Sequence, residues 1–132
     1  MRFLVVEDDF IARRILTQHL SRWGSCDVAV DGAEAVQAVK MALVEAKPYD
    51  LICLDIMMPN LNGQEALKRI RAVEVEFEIS PGEGSKIVMT TAMGDSRNVL
   101  SAFDSQCEGY LVKPITPEAL EKQLICLDLI PA

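Results

Sequence analysis

The sequence predicts one α/β domain over residues 1–132, built on a five-stranded parallel sheet with helices on both faces. Short, wholly apolar runs alternate along the chain with segments of helical periodicity, as in buried parallel strands joined by helices. The connections are short, and the chain has no internal repeat or low-complexity tract. A length of 132 residues allows one layered core and excludes a large barrel.

The first half of the chain predicts two strands, each followed by a helix. The apolar run at 3–6 is the first strand, and Asp9 is expected in the acidic first turn of the helix that follows. That helix is predicted from apolar residues at helical spacing: Ala12, Ile15, Leu16, Leu20 and Trp23. Residues 26–30 are the second strand, and Asp31 caps a helix over 33–46.

The second half predicts three more strands and three helices. A third buried strand at 51–54 ends at Asp55, and Asn62 caps the third helix. An acidic stretch at 74–85 ends in a predicted exposed loop. The remaining elements are a strand at 87–91, a helix from Asp95 to about Phe103, a strand at 110–112, and a last helix that begins at Thr116 and Pro117.

The net charge, the apolar stretches and the cysteines of the chain argue against several classes of function. With 13 basic and 20 acidic residues the net charge is −7, which disfavours direct binding to nucleic acids or to anionic membranes. The longest apolar stretch, 51–59, is interrupted by Asp55 and is too short to span a bilayer. The four cysteines form no CxxC pair and no secretory signal is seen, so we expect a reduced, cytoplasmic protein.

Polar residues collect where the predicted strands end. Glu7 and Asp8 follow the first strand, Asp55 the third, Thr91 the fourth and Lys113 the fifth. In open α/β sheets, ligands bind beyond the carboxyl ends of the strands. These five side chains are therefore expected to share one crevice.

The types of residue in this crevice indicate phosphoryl transfer. Each pair of carboxylates about 4 Å apart repels by on the order of 4 kcal/mol, so the cluster either binds a cation or takes up a proton. Oxygen ligands suit Mg²⁺, while Lys113 offers a positive charge and Thr91 a hydroxyl to an anion. Together they suit transfer of a phosphoryl group to Asp55, which would become an acyl phosphate.

The chain resembles the response-regulator receiver domains of two-component signalling. The matching segments are FLVVEDDF, DLICLDIMMPNLNG, IVMTTA and GYLVKP, and the resemblance runs from Phe3 to about Leu127. It implies the flavodoxin-like receiver fold with five helices and the strand order 2-1-3-4-5. The chain is most similar in kind to stand-alone, chemotaxis-type receivers.

The resemblance assigns roles to the acidic residues. It implies that Asp55 is the phosphoacceptor and a ligand of Mg²⁺. It also implies that Asp8 binds the metal directly, that Glu7 binds it through water, and that the backbone carbonyl of Met57 is a further ligand.

The resemblance also assigns the switch residues. Lys113 pairs with the phosphate, and its bond to Pro114 is expected to be cis. Thr91 is the switch hydroxyl and Tyr110 the switch aromatic. Alternation along the strand is expected to point the adjacent Thr90 to the other sheet face.

The implied function is signalling rather than enzymatic turnover. A histidine kinase phosphohistidine, a phosphotransfer protein or a small phosphodonor would phosphorylate Asp55 in a Mg²⁺-dependent reaction. Phosphorylation would reshape the face of the helix at 95–103, the strand at 110–112 and the last helix, and so control a downstream protein target. The protein would be a monomer or a phosphorylation-dependent dimer.

Three alternatives stay open. The chain could be a receiver cut from a longer multidomain regulator or hybrid kinase. It could be a Mg²⁺-dependent phosphatase with Asp55 as nucleophile, although such enzymes often carry a second acid where Met57 stands. A flavin binder is the third, although Glu7 and Asp8 would repel its phosphate.

Overall fold

A computed structural model describes residues 1–58, 60–92 and 107–132. Its strands are β1 (Arg2–Val6), β2 (Ser25–Ala29), β3 (Leu51–Asp55), β4 (Lys86–Thr91) and β5 (Gly109–Val112). Its described helices are α1 (Phe10–Leu20), α2 (Gly32–Val44), α3 (Gly63–Glu76) and α4 (Pro117–Cys126). All strand pairs are parallel, in the order β2-β1-β3-β4-β5, which confirms the predicted sheet. The helix predicted at 95–103 lies outside the described residues.

The helices begin where the sequence places capping side chains. The side chains of Asp31, Asn62 and Thr116 each accept a hydrogen bond from a backbone N–H three residues on, at 2.8, 3.0 and 3.1 Å. These bonds satisfy N–H groups that have no partner inside the helix. α1 starts at Phe10 rather than near residue 12, because Asp9 is its cap and not part of its first turn.

Two apolar cores cover the two faces of the sheet. Alternate strand residues such as Leu4, Ile52 and Ile87 pack with α2 and α3. The intervening residues, such as Val5 and Val88, pack with α1 and α4. A central strand in such a sheet has no exposed side, and all five residues of β3 are buried.

The amino edge of the sheet, where the strands begin, holds a buried charge network around Arg71. Its Nη1 lies 2.7 Å from Glu74 Oε1 and donates to the Ser85 carbonyl oxygen at 2.9 Å. Its Nη2 donates to both oxygens of Glu108, at 2.8 and 2.9 Å. We call Arg71, Glu74, Ser85 and Glu108 the amino-edge cluster.

The amino-edge cluster refines the prediction for residues 74–85. The end of that stretch is an exposed loop, as expected, but α3 continues through Glu76 and Glu74 is only 5% exposed. Ser85 donates its backbone N–H to Glu74 Oε2 at 2.8 Å, so the loop closes over the carboxylate. None of the described helices has the length and apolar character needed to cross a bilayer.

Candidate functional site

Three carboxylates meet at the carboxyl edge of the sheet. Glu7 and Asp8 follow β1, and Asp55 ends the neighbouring strand β3. One carboxylate oxygen from each lies within 4.8 Å of the others. Glu7 and Asp55 are buried and Asp8 is exposed, so the cluster opens to solvent on one side.

Lys113 supplies a positive charge to this cluster. It follows β5, and its Nζ lies 2.7 Å from Glu7 Oε2 and 3.2 Å from Asp55 Oδ2. The bond from Lys113 to Pro114 is cis, as the resemblance implies. One ammonium faces three carboxylates, so the fully ionised site keeps a surplus of negative charge.

Burial and charge shift the pKa values of two of these groups. Burial, helped by the charge of Asp55, raises the pKa of the Glu7 carboxyl to about 7, even though the Lys113 ammonium acts in the opposite direction. Burial tends to lower the pKa of Lys113, but Glu7 and Asp55 outweigh it and raise that pKa above its ordinary value. Because both pKa values are raised, Glu7 and Lys113 keep their protons to a higher pH than the isolated groups would.

The donor set fits Mg²⁺. Glu7 Oε2 is buried and has no hydrogen bond among the described residues, because its contact with Lys113 lacks hydrogen-bond geometry. Carboxylate oxygens are the ligands that Mg²⁺ prefers, and Asp8 offers one at the solvent-facing side. The three acids therefore form a chemically suitable cradle for a hard divalent cation.

The loop after β3 is held close to Asp55. The backbone N–H of Met57 donates to Asp55 Oδ1 at 3.2 Å. The loop closes through a 2.9 Å bond from the Gly63 N–H to the Ile56 carbonyl oxygen. A Cβ at Gly63 would lie 2.2 Å from the Asp55 carbonyl oxygen, so only glycine lets α3 start this close to the acid.

Thr91 is the last residue of β4, the strand that pairs with β3 beside Asp55. Thr91 ends β4 on the face of Ile87 and Met89, and its hydroxyl donates to the Ala92 carbonyl oxygen at 3.3 Å. Tyr110 lies in β5 with 42% of its surface exposed. The switch roles of Thr91 and Tyr110 stay predictions.

Sequence reasoning named Thr90 but gave it no role in the site. The alternation along β4 holds, but Thr90, not Thr91, shares the sheet face of Asp55. The register pairs Thr90 directly with Asp55, and Thr90 is 1% exposed. That Thr90 and Asp55 are neighbours follows only from the register between β3 and β4, which the sequence does not show.

An apolar groove adjoins the site. It encloses about 370 Å³ and is bounded by Glu7 and Lys113 on the polar side. Its apolar lining includes Ile11, Ile15 and Ile115. Ile15 was expected in the core stripe of α1, but it is 41% exposed because Leu16 and Leu20 occupy the inward side.

The raised pKa of Glu7 predicts a pH-dependent stability of the metal-free protein. The folded protein holds a proton on Glu7 up to about pH 7, whereas the unfolded chain releases it near the ordinary value of 4.5. The folded state therefore binds more protons in this window, and its stability falls as the pH rises through it. This loss is about 2.5 kcal/mol between pH 5 and pH 8, and Glu7→Gln is expected to remove it.

Urea unfolding in EDTA, followed by the fluorescence of the single tryptophan Trp23, would measure this difference. Saturating Mg²⁺ should also flatten the wild-type profile, since the metal favours ionised Glu7. The same pH dependence in wild type and Glu7→Gln would contradict the prediction.

The family of the chain follows from its sequence relatives. Residues 3–125 match the response regulator receiver domain family. The chain belongs to this family. The receiver domain is 34% identical over 124 residues to a chemotaxis protein CheY homolog of Campylobacter jejuni, covering 94% of this chain and 89% of that relative.

Solved structures agree with this fold. A chain of the co-crystal structure of the Saccharomyces cerevisiae histidine phosphotransfer protein Ypd1 with the receiver domain of Ssk1 aligns with a TM-score of 0.81 and 30% identity, covering 99% of this receiver and 92% of that chain. The receiver domain of the histidine kinase CKI1 from Arabidopsis thaliana, complexed with Mg²⁺ and BeF₃⁻, aligns with a TM-score of 0.78 and 26% identity, covering 94% and 88%. The receiver domain thus has the flavodoxin-like fold and a phosphoacceptor signalling function.

Proposed function

We propose that Asp55 accepts a phosphoryl group from a phosphohistidine of a sensor histidine kinase or phosphotransfer protein, or from a small phosphodonor. The observation that carries this proposal is the convergence of Asp55, Lys113, Glu7 and Asp8 at an open edge of the sheet. A carboxylate nucleophile, an ammonium group and a set of hard oxygen ligands are the parts that phosphoryl transfer requires.

The proposed reaction is a displacement at phosphorus. A carboxylate oxygen of Asp55 forms a bond to the phosphorus atom as the bond from phosphorus to the donor breaks. The electron pair of the broken bond leaves with the donor, on the imidazole nitrogen of a phosphohistidine or on the carboxylate of acetyl phosphate. The ammonium of Lys113, 3.2 Å from Asp55 Oδ2, then pairs with oxygens of the transferred group.

We propose that Mg²⁺ serves this reaction. Asp8 and Asp55 would bind it directly, Glu7 would bind it through water, and the backbone carbonyl of Met57 would be a further ligand. A bound Mg²⁺ neutralises negative charge on the transferring phosphoryl group. The buried Glu7 Oε2, which has no hydrogen bond of accepted geometry within the described residues, supports this assignment.

The same proposal includes two kinds of protein partner, a phosphodonor protein and a downstream target. The groove offers a phosphodonor protein two exposed apolar side chains, Ile11 and Ile15, beside the site residues Glu7 and Lys113. The co-crystal of Ypd1 with the Ssk1 receiver is a solved example of such a pairing in a similar protein. We propose that the chain is a single cytoplasmic receiver that acts on a downstream protein, as a monomer or as a phosphorylation-dependent dimer, and that it turns over no separate substrate.

The switch is proposed to start at Thr91 and Tyr110. Within the described residues, the Thr91 hydroxyl donates to the carbonyl oxygen of the next residue, a long 3.3 Å contact that a phosphoryl oxygen can outcompete. Movement of Thr91 toward the phosphoryl group would make room for Tyr110 to turn inward. This is a local electrostatic change that biases a two-state element.

Intact mass after incubation with Mg²⁺ and acetyl phosphate would test the proposal. We expect one phosphoryl adduct in wild type, none in Asp55→Asn, and none in wild type with EDTA. Asp128→Asn is the matched control, since Asp128 is exposed, lies after α4 and has a positive φ of 59° that asparagine tolerates. A folded wild-type protein that binds Mg²⁺ but gains no adduct would overturn the proposed function.

A further inference from the structure

Thr90 carries an orphaned hydroxyl in the interior of the sheet. Thr90 is 1% exposed, and its Oγ1 has no hydrogen-bond partner within the part of the chain that the structure describes. Buried polar groups are bonded in the great majority of cases, so an exception calls for a physical reason. Valine has nearly the same shape and would fill this position without an unpaired polar atom.

The neighbours of Thr90 suggest that reason. In the register of the sheet, Thr90 is paired with Asp55 on β3 and with Leu111 on β5. Neighbouring strands lie about 4.8 Å apart, and paired residues direct their side chains to the same face. Asp55 in turn contacts the Lys113 ammonium through Oδ2, at 3.2 Å. Thr90 is therefore the direct cross-strand neighbour of the reacting residue.

The hydrogen bonds of Asp55 change in the proposed reaction. In the described structure Oδ1 accepts from the Met57 N–H and Oδ2 accepts from Lys113. When Lys113 pairs with the transferred phosphoryl group, Oδ2 loses this donor. A buried carboxyl oxygen without a donor is unfavourable.

We propose that Thr90 is a positioning residue of the phosphorylation site, whose hydroxyl donates to the Asp55 carboxyl oxygen that Lys113 leaves. The contact requires a rotation about χ1 of Thr90 or Asp55 between staggered rotamers. In this proposal the hydroxyl, which has no partner within the described residues, becomes paired in the transition state and in the phosphorylated protein. The unpaired group thus raises the free energy of the resting state and favours phosphorylation. This inference rests on the proposed function of Asp55.

Two substitutions separate the hydroxyl from the packing of the side chain. Thr90→Val keeps the shape and removes the hydroxyl, whereas Thr90→Ser keeps the hydroxyl and removes a methyl group. We expect Thr90→Val to gain the phosphoryl group from acetyl phosphate and Mg²⁺ about 3- to 10-fold more slowly than wild type. The same variant should unfold at a higher midpoint temperature, because it no longer buries an unpaired hydroxyl. Thr90→Ser should recover most of the rate while unfolding at a lower midpoint than wild type.

A purely structural role cannot make the more stable variant the slower one. A Thr90→Val rate within twofold of wild type would overturn the inference while leaving the proposed function intact. So would a Thr90→Ser rate as low as that of Thr90→Val, or a lower unfolding midpoint for Thr90→Val. If the wild-type protein gains no phosphoryl group, the inference falls together with the proposed function.

Discussion

Replacing Lys113 with methionine is expected to change metal binding and phosphorylation in opposite directions. Its Nζ lies 2.7 Å from Glu7 Oε2 and 3.2 Å from Asp55 Oδ2, so it repels a cation bound by these acids. Without it, Mg²⁺ should bind more tightly, on the order of tenfold. Phosphorylation by acetyl phosphate should nevertheless slow by about 100-fold, because the transferred group loses its ammonium partner.

Titration calorimetry with Mg²⁺ and intact mass over time would measure the two effects. Lys86→Met is the matched control, since Lys86 begins β4 at the opposite edge of the sheet and should leave both quantities unchanged. If Mg²⁺ affinity and phosphorylation rate both fell in Lys113→Met, the residue would be a structural support rather than the partner of the phosphoryl group.

Replacing Arg71 with methionine is expected to destabilise the fold by about 3–5 kcal/mol. Arg71 bonds Glu74 and Glu108, whose side chains are 6% and 23% exposed. Its removal leaves both carboxylates with little access to water and without their cation. The loss would appear as a lower urea midpoint in equilibrium unfolding.

Arg69→Met is the control for this experiment. Arg69 lies on the same helix but is exposed, so its replacement should change the free energy of unfolding by less than about 0.5 kcal/mol. Adding Glu74→Gln and Glu108→Gln to Arg71→Met should restore part of the stability, because the charges left behind are removed. A loss below about 1 kcal/mol for Arg71→Met alone would show that the amino-edge cluster is solvated in solution.

The sequence predicted the elements whose signals are local. Apolar runs located all five strands to within one residue at either end, and Asp31, Asn62 and Thr116 marked the helix starts because capping acts between neighbours in the chain. The meeting of Glu7, Asp8 and Asp55 was also predictable, since the carboxyl ends of parallel strands share one edge.

Features set by contacts between distant segments were not predictable. Glu74 looked like part of an exposed acidic stretch, but its burial depends on Arg71 and on a loop that closes over it. Ile15 fitted the periodicity of a core stripe, yet Leu16 and Leu20 occupy the inward side of α1 and leave Ile15 at the groove. Thr90 is a neighbour of Asp55 only through the register of β3 and β4.

The two edges of the sheet differ in a way that bears on how the protein can be modified. At the amino edge Arg71 is bonded to both Glu74 and Glu108, whereas at the carboxyl edge Glu7 Oε2 and Thr90 Oγ1 have no hydrogen bond within the described residues. A five-residue strand such as β3 separates these edges by roughly 13 Å, beyond the range at which substitutions usually influence each other. Substitutions in the amino-edge cluster can therefore change the stability of the domain without altering the phosphorylation site, whereas substitutions at the carboxyl edge, such as Thr90→Val, change stability and reactivity together.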